Sequence, residues 1–340
     1  MRIAQISTVE KPVRRDGSDS VGQLVWLLTR ELTKLGHEVT VFGARGSEVD
    51  GNFVETLAAP YGESGAGLHV DWRLCEQINI SRAIERSAEF DLLHSHAYLW
   101  GMALDPLSRA PMVHTLHVTP YHDLAPVIEL LPNVRVTAIS HFQWSLVPTL
   151  KPLAVIHHGV DLTQFTFQET PDDYLLYLGR FVPEKGSLTA IRAARDLGAR
   201  LLLAGPRNPY YSGVIEPHVD GQKIQYVGAV SGAQRDALIG GARALLYPIE
   251  EPEPFGLVQI EAMLCGTPVV AMRIGAVPEI VDEGVTGYSA KTVVEFIENV
   301  PRATTLDRRL IRETAQRRFS AERMVREYLS VYEDVLKTKK

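Results

Sequence analysis

Short apolar runs alternate with stretches of helical periodicity along the whole chain. Ile3 to Ile6 is an apolar run, and from Val21 to Leu35 leucines recur three and four residues apart, which predicts a strand followed by an amphipathic helix. Gly36 suits the end of that helix, and Glu38 to Phe42 is the next strand-like run. Such a unit implies two parallel strands with a right-handed crossover. Further runs near residues 92–93, 112–113, 134–139 and 155–156 extend this pattern to a parallel α/β sheet.

The same alternation restarts after a polar stretch at residues 164–173, which we interpret as an interdomain linker. Five more apolar runs follow, at 174–178, 200–204, 224–227, 244–247 and 268–271, with a helix predicted near 187–197 and a charged helical tail at 306–340. The length of 340 residues is consistent with two domains at about 150 residues each. We expect one domain at 1–163 and a second at 164–317, with the ligand in the cleft between their sheets.

Composition and charge narrow the class of protein. Lys and Arg number 35 against 41 Asp and Glu, so the formal net charge is −6, which argues against a nucleic-acid partner. Cys75 and Cys265 lie far apart and form no CxxC pair, so we expect buried thiols and neither a disulfide scaffold nor a zinc cluster. The first residues enter a strand without the features of a signal peptide, and no apolar run is long enough to span a bilayer. These features predict a cytoplasmic protein.

The segment from Glu250 to Met263 carries the strongest chemical signal. Pro254 can begin a helix, and the amides of Phe255, Gly256, Leu257 and Val258 would then be available to a diphosphate. Glu253 lies just before this helix, and Glu261, about two turns into it, is suited to accept hydrogen bonds from a ribose. The alternative is that Glu253 only complements the helix dipole and Glu261 is a solvated helix residue.

Two further loops follow predicted strands. Arg180 and Lys185 come directly after the strand that ends at Leu178, where two cations can neutralise a leaving diphosphate, although exposed surface charges are the simpler alternative. His117 follows the strand near 112–113 and can bond to a sugar hydroxyl or carbonyl, with a structural histidine or one half of a metal pair as the alternatives. None of the eleven histidines has the spacing of a metal site, so we expect no metal. The loop at 14–22 is neither a P-loop nor a dinucleotide fingerprint.

Together these segments resemble the retaining, nucleotide-sugar-dependent glycosyltransferases of family 4 (glycosyl transferases group 1), which have the GT-B fold. The resemblance extends over nearly the whole chain and rests on six segments in order: Leu35 to Val39, Phe90 to His96, Leu178 to Gly186, Glu253 to Met263, Gly266 to Val270 and Val277 to Val281. It implies two Rossmann-like domains, an acceptor-side domain first and a nucleotide-sugar-binding domain second. It also implies that a final helix at about 318–340 packs back on the first domain.

The resemblance also implies a role for each site residue. Arg180 and Lys185 would bind the diphosphate, and Glu253 with the amides of Phe255 and Gly256 would bind hydroxyls of the donor sugar. The amides of Leu257 and Val258 would bind phosphate oxygens, Glu261 the ribose, and Val230 the nucleobase. His117 matches the histidine that approaches the reacting sugar. The family often has a Gly-Gly pair in the first loop, where this chain has Asp19-Ser20; Ser20 and Gly22 are the acceptor-side candidates there.

The reaction implied is retaining transfer of a hexose from a nucleoside-diphosphate sugar, UDP-glucose or GDP-mannose first, to an unidentified acceptor. In this family the leaving phosphate takes the acceptor's proton, so no carboxylate nucleophile is expected. No metal cofactor is expected either, because Arg180, Lys185 and the helix terminus would stabilise the charge of the phosphate. Two alternatives stay open: a nucleotide-sugar hydrolase or epimerase on the same fold, and a non-catalytic nucleotide-sugar-binding subunit. The acceptor can be a small molecule, a glycan or a lipid, but the scattered basic residues of the first domain do not favour membrane binding. The sequence does not indicate an oligomeric state.

Overall fold

The computed structural model describes residues 1–17, 19–62, 71–120, 124–131, 133–148 and 151–338. Ser18, in the first loop, and the last two residues of the tail lie outside the described residues. The chain divides into two compact units, with unit 1 formed by Met1–Val160 and Ala321–Lys340 and unit 2 by Asp161–Ser320. The sequence pattern predicts these divisions near 163 and 317. Residues 164–173, interpreted from the sequence as a linker, belong to unit 2, where the Thr166 amide donates to Asp236 over 3.0 Å.

Unit 1 contains a sheet of seven parallel strands in the order β3-β2-β1-β4-β5-β6-β7. Strands β1, β4 and β5 are almost entirely buried, which explains their unbroken apolar character in the sequence. The strands are β1 (Arg2–Ile6), β2 (Glu38–Ala44), β3 (Asn52–Leu57), β4 (Leu92–Ser95), β5 (Met112–Thr115), β6 (Val136–Ala138) and β7 (Ala154–Val155).

The helices of unit 1 pack an apolar face against this sheet. They are α1 (Ser20–Lys34), α2 (Trp72–Glu85), α3 (Leu124–Glu129) and α4 (His141–Ser145). Helix α1 buries Leu24, Leu28 and Leu32 in the main core, which confirms the predicted periodicity. The same core contains Tyr328 and Tyr332 of the last helix of the chain, α11 (Ala321–Lys337).

Unit 2 contains a sheet of six parallel strands in the order β10-β9-β8-β11-β12-β13. Aromatic side chains, Phe181, Tyr211 and Phe296 among them, fill its core. The strands are β8 (Leu175–Leu178), β9 (Leu201–Ala204), β10 (Ile224–Gly228), β11 (Ala244–Tyr247), β12 (Val269–Met272) and β13 (Gly287–Ala290). The helices are α5 (Ser187–Asp196), α6 (Gly232–Gly241), α7 (Leu257–Leu264), α8 (Val277–Ile280), α9 (Val293–Ala303) and α10 (Arg308–Phe319).

The structure differs from the predicted elements at two edge strands and in the tail, besides the start of α7 described below. Strands β3 and β13 are not predicted, because both are short edge strands with partly polar sequences and no continuous apolar run. The charged tail forms two helices, since Ser320 between α10 and α11 has an extended backbone, with φ −70° and ψ 148°. Both cysteines are free and buried, as expected. None of the described helices is long and apolar enough to cross a membrane.

Candidate active site

The strand order of unit 2 determines which loops meet. The chain places β9 and β10 on one side of β8 and then returns to place β11 on the other, so the loops after β8 and β11 flank a topological switch point. Ligands of parallel α/β sheets bind beyond the carboxyl ends of the strands at such a point. The loop after β8 carries Arg180 and Lys185, and the loop after β11 carries Glu253. The predicted charged residues are therefore brought to one edge of the sheet.

Lys185 and Glu253 form an ion pair across these two loops. Their side chains are 21% and 23% exposed, so the pair is accessible without being fully solvated. The second carboxylate oxygen of Glu253 accepts a hydrogen bond of 2.6 Å from the Tyr247 hydroxyl. Burial, together with the neighbouring Glu253 carboxylate, raises the pKa of Tyr247 well above its usual value, so the phenol is a hydrogen-bond donor at neutral pH. Glu253 is thus held by a cation on one side and a phenol on the other.

Two glycines allow the loops to approach this closely. Gly186 has φ +65°, and a Cβ built on it would clash with the carbonyl oxygen of Pro248 at the end of β11. Gly275, in the loop after β12, has φ +61°, and its Cβ would lie 2.6 Å from the backbone nitrogen of Glu253. The carbonyl oxygen of Glu253 accepts from the Ala276 amide at 3.0 Å. The Glu253 loop is therefore fixed by backbone contacts on both sides.

Helix α7 begins at Leu257, so the predicted start at Pro254 and Phe255 is wrong. Gly256 has φ +98°, which a right-handed helix cannot contain, and it forms the N-cap. A Cβ on Gly256 would lie 2.7 Å from the Tyr247 hydroxyl. Glycine at this position therefore allows the loop to pass close to Tyr247, the residue that donates to Glu253. The first helical amides are those of Leu257 and Val258. Phe255 is buried against Phe319, so only its backbone is suited to contact a ligand.

Glu261 lies one turn into α7, and not two turns as the sequence suggested. It forms an ion pair with Arg235 of α6, a partner that no sequence motif indicates. Val230, two residues after β10, is partly buried in the connection to α6. Arg180 is exposed, and its carbonyl oxygen accepts a hydrogen bond of 2.9 Å from the Tyr177 hydroxyl. The site in unit 2 thus contains every predicted residue of the donor set at the carboxyl edge of one sheet.

In unit 1, His117 lies two residues beyond β5 at the end of a chain of buried polar side chains. Its Nε2 is 2.9 Å from His96 Nδ1, and His96 Nε2 is 2.8 Å from Gln5 Oε1. Since Gln5 Oε1 accepts, His96 Nε2 donates and His96 Nδ1 carries the lone pair of a neutral ring. His117 Nε2 must then donate to His96, which leaves His117 Nδ1 as a hydrogen-bond acceptor.

The neutral state of these rings follows from burial. Desolvation lowers the pKa of His117 to about 3 and the pKa values of His94, His96 and His158 well below 6.5. His117 is also stacked on His158, with ring centroids 5.3 Å apart. The backbone around His158 is held by α11, because Arg323 donates to the carbonyl oxygen of His157 over 2.7 Å. Polar residues within apolar strands, such as Gln5 in β1, are the sequence signal that could have revealed this chain of contacts.

The first loop of unit 1 has a specific structure at the positions that depart from the family pattern. The Asp19 carboxylate caps α1, accepting from the amides of Val21 at 3.2 Å and Gly22 at 2.7 Å. Ser20 is exposed at the first position of the helix, and Gly22 is buried with its amide already bonded. Within the described ranges, no group of three or more His, Cys, Asp or Glu side chains is placed to hold a metal ion.

Two protein-family models match this chain, one over most of unit 1 and one over most of unit 2. The model described as glycosyltransferase family 4 matches residues 21–164, and the model described as glycosyl transferases group 1 matches residues 162–307. The chain belongs to the family 4, group 1 glycosyltransferases. The resemblance noted in the sequence and the predicted GT-B fold are therefore confirmed, and the protein is a glycosyltransferase.

Individual members of the family are distant from this chain. A D-inositol 3-phosphate glycosyltransferase of Corynebacterium efficiens is 28% identical, with 84% of this chain and 82% of the relative aligned. The solved structure of a sucrose-phosphate synthase from Thermosynechococcus elongatus superposes with a TM-score of 0.80 at 20% identity, over 99% of this chain and all of the other. The Anabaena protein HepE, solved in complex with UDP and glucose, superposes with a TM-score of 0.70 at 18% identity, over 98% of this chain and all of the other. These structures share the GT-B fold with this glycosyltransferase.

Proposed function

We propose that this glycosyltransferase transfers a hexose from a nucleoside-diphosphate sugar to an acceptor hydroxyl with retention of the anomeric configuration, without a metal cofactor. The observation that carries the proposal is the grouping of Lys185, Glu253 and Tyr247 at the switch point of unit 2, next to the first amides of α7. A cation, a hydrogen-bonded carboxylate and free helical amides are the groups that a sugar diphosphate requires.

The donor's diphosphate is assigned to Lys185, Arg180 and the amides of Leu257 and Val258. Lys185 already neutralises Glu253, so a bound phosphate would share its ammonium group with that carboxylate. Glu253 would accept hydrogen bonds from sugar hydroxyls, and Tyr247 would keep its carboxylate in position. The presence of UDP and glucose in the HepE complex favours UDP-glucose over GDP-mannose as the first donor to test.

The nucleoside is assigned to the opposite end of the same edge. Glu261 would accept the ribose hydroxyls while Arg235 holds its carboxylate, and the segment at Val230 would pack against the base. The Phe255 side chain is buried, so Phe255 and Gly256 would contribute backbone amides to the sugar. Glu261 and Phe255 are both held by contacts within unit 2, with Arg235 and Phe319 respectively.

The chemical step needs stabilisation of a departing phosphate. The bond between the anomeric carbon and the phosphate oxygen breaks with its electron pair on the phosphate, and Lys185, Arg180 and the α7 amides stabilise that charge. The acceptor oxygen attacks the same face of the sugar, and its proton passes to the departing phosphate oxygen. We assign His117 to the same reaction, with Nδ1 accepting a hydrogen bond from a hydroxyl group, because its ring stays neutral.

The test is transfer from UDP-glucose and GDP-mannose with the anomeric configuration of the product read by NMR. Retained configuration, and activity that persists in EDTA, are expected; inverted product or full loss in EDTA would overturn the corresponding part of the proposal. Lys185→Ala and Glu253→Gln should each lower kcat/KM by about a hundredfold or more, as expected for groups that stabilise transition-state charge. The matched controls are Lys291→Ala and Glu298→Gln, both exposed residues of unit 2.

A further inference from the structure

Four aromatic side chains form a continuous strip in unit 1. The ring centroids of Tyr61 and Trp72 are 6.4 Å apart, those of Trp72 and Trp100 5.8 Å, and those of Trp100 and Tyr98 6.3 Å. Trp72 is 40% exposed, and the other three are partly buried. A large, partly exposed aromatic surface on a protein commonly marks a binding site. We call these four residues the aromatic strip.

The aromatic strip lies at the edge of the sheet where ligands bind. Tyr61 follows β3, and its amide bonds to the carbonyl oxygen of Val9, three residues beyond the end of β1. Tyr98 and Trp100 follow β4, and Trp72 is the first residue of α2. The chain places β2 and β3 on one side of β1 and β4 on the other, so the switch point of this sheet lies between the loops after β1 and β4.

The backbone at Tyr98 is strained. Its φ is +49°, and among the described residues no other residue except glycine has a positive φ. A conformation of this kind costs about 1–3 kcal/mol and persists where the surrounding structure requires it, often at functional sites. The turn after β4 therefore holds an aromatic side chain in place against a local conformational preference.

Three buried polar atoms of unit 1 have no hydrogen-bond partner in the described part of the chain: Glu76 Oε2 and Trp100 Nε1 at the strip, and Ser7 Oγ directly after β1. Ser7 is fully buried, and Glu76 is 3% exposed. The other oxygen of Glu76 accepts from the Val9 amide at 3.0 Å and from the Tyr61 hydroxyl at 3.1 Å, which ties this carboxyl directly to the strip. Buried polar groups are rarely left without partners unless a ligand or water supplies them.

These four observations lead to a proposal that deepens, and rests on, the proposed function. We propose that the aromatic strip, with Ser7, Glu76 and the Trp100 indole, is the acceptor subsite and binds a neutral saccharide. Sugar rings present an apolar face of C–H groups that suits an aromatic surface and a rim of hydroxyls that both donate and accept. The Trp72 ring, 40% exposed, supplies such a surface, and the buried indole N–H, hydroxyl and carboxyl are hydrogen-bonding groups that still lack partners in the described part of the chain.

The charges around the subsite favour a neutral acceptor over an anionic one. The amides of Val21 and Gly22 at the start of α1, which could bind a phosphate, are occupied by the Asp19 carboxylate of the chain itself. Glu10 and Asp19 both act on the Glu76 carboxyl as like charges. Two cations are also present, but each contacts another group of the chain: Lys11 donates to the Gly62 carbonyl oxygen at 2.7 Å, and Arg73 stacks over the exposed Trp72 ring at 4.8 Å.

The four tryptophans of the chain, Trp26, Trp72, Trp100 and Trp144, allow a direct test on the intact protein. With 5-fluorotryptophan incorporated, ¹⁹F NMR resolves one signal per site, assigned by single Trp→Phe variants. Millimolar maltose, cellobiose or methyl α-D-mannoside, each with and without UDP, should shift the Trp72 and Trp100 signals and leave those of Trp26 and Trp144 unchanged. Inositol 1-phosphate should shift neither. No shift with any of the three saccharides, or a shift only with the anion, would overturn the proposal.

A variant pair measures the contribution of the strip to turnover. Trp72→Ala should raise the KM for a saccharide acceptor at least tenfold while the Kd for UDP changes less than twofold. Leu74→Ala, which removes a 56% exposed side chain from the same turn of α2, should change neither. An unchanged acceptor KM in Trp72→Ala would show that the aromatic strip is not part of the acceptor subsite.

The two proposals fail in different ways. If the protein binds no nucleoside diphosphate but the Trp72 and Trp100 signals still shift with saccharide, the proposed donor function is wrong and the acceptor subsite is supported. If UDP binds and sugar is transferred while those signals stay unchanged, the proposed acceptor subsite is wrong and the donor function is supported.

Discussion

Lys185 and Glu253, 68 positions apart in the sequence, form an ion pair at the carboxyl edge of the unit 2 sheet. The pair exists because β8 and β11 are neighbours on either side of the switch point, so their following loops meet. Tyr247, the last residue of β11, donates to the same carboxylate. The position of Glu253 therefore depends on two residues that lie outside its own loop.

Tyr247→Phe should weaken catalysis without unfolding the protein. The variant removes a 2.6 Å hydrogen bond to a carboxylate, and such bonds to charged groups contribute about 1.5–3 kcal/mol, which corresponds to a ten- to hundredfold fall in kcat/KM for the donor. Steady-state kinetics measure the fall. Tyr174→Phe is the control, because Tyr174 also donates a single hydrogen bond, 2.9 Å to the Leu238 carbonyl oxygen, but precedes β8 at the opposite edge. Equal kinetic effects in the two variants would contradict the role of Tyr247.

Gly186→Ala should destabilise unit 2 strongly. The added methyl group would clash with the Pro248 carbonyl oxygen, in addition to the cost of about 1–2 kcal/mol for a side chain at φ +65°. Gly198 has nearly the same φ, +63°, and no atom lies within 4 Å of the position that a Cβ would take there, so Gly198→Ala isolates the conformational cost alone. Urea unfolding followed by far-ultraviolet circular dichroism should show the larger loss in Gly186→Ala. Similar losses would mean that the loop can move away from β11.

Glu76→Gln should remove a pH dependence of the stability of unit 1. Burial raises the pKa of Glu76 from 4.5 to about 7, so the folded state holds this proton more tightly than the unfolded state. The contribution of Glu76 to stability is then fully present below pH 4.5 and is lost as the pH rises through 7, by about 3 kcal/mol in all.

The measurement is urea unfolding at pH 5 and pH 8 followed by tryptophan fluorescence, which reports unit 1 because all four tryptophans lie in it. The difference between the two pH values should be smaller in Glu76→Gln than in the native protein. The exposed Glu298→Gln should leave the difference unchanged. A native protein at least as stable at pH 8 as at pH 5, with no change in Glu76→Gln, would show that the Glu76 carboxylate is not penalised by burial.

The tautomer of His117 should be fixed by Gln5 through His96. We expect ¹⁵N NMR to show protonated Nε2 and bare Nδ1 on His117, with no titration between pH 5 and pH 9, since burial keeps the pKa near 3. Gln5→Met removes the acceptor that orients His96, so the His117 signals should move toward a mixture of tautomers and kcat should fall. A protonated Nδ1 in the native protein would reverse the assigned role of His117 from acceptor to donor.

Much of the fold is predictable from the sequence for a physical reason. Strands such as β1 and β8 lie in the middle of their sheets and are buried on both faces, so they appear as apolar runs; α1 is amphipathic because one face packs on the core. The edge strands β3 and β13 carry no such run and escaped prediction. The start of α7 depends on the left-handed backbone of Gly256, which the preceding proline did not indicate.

The sequence by itself determined the alternation of strands and helices, the glycine positions that permit tight turns, and the identity of Arg180, Lys185, Glu253, Glu261 and His117 as the chemical groups available. Only the tertiary structure decided their partners. Tyr247 bonds to Glu253, Arg235 pairs with Glu261, and Gln5 reaches His117 through His96, in each case from a different strand, helix or loop. Local sequence patterns record whether a residue is buried, whereas such contacts depend on which strands become neighbours in the sheet, and strand order leaves no local trace in the chain.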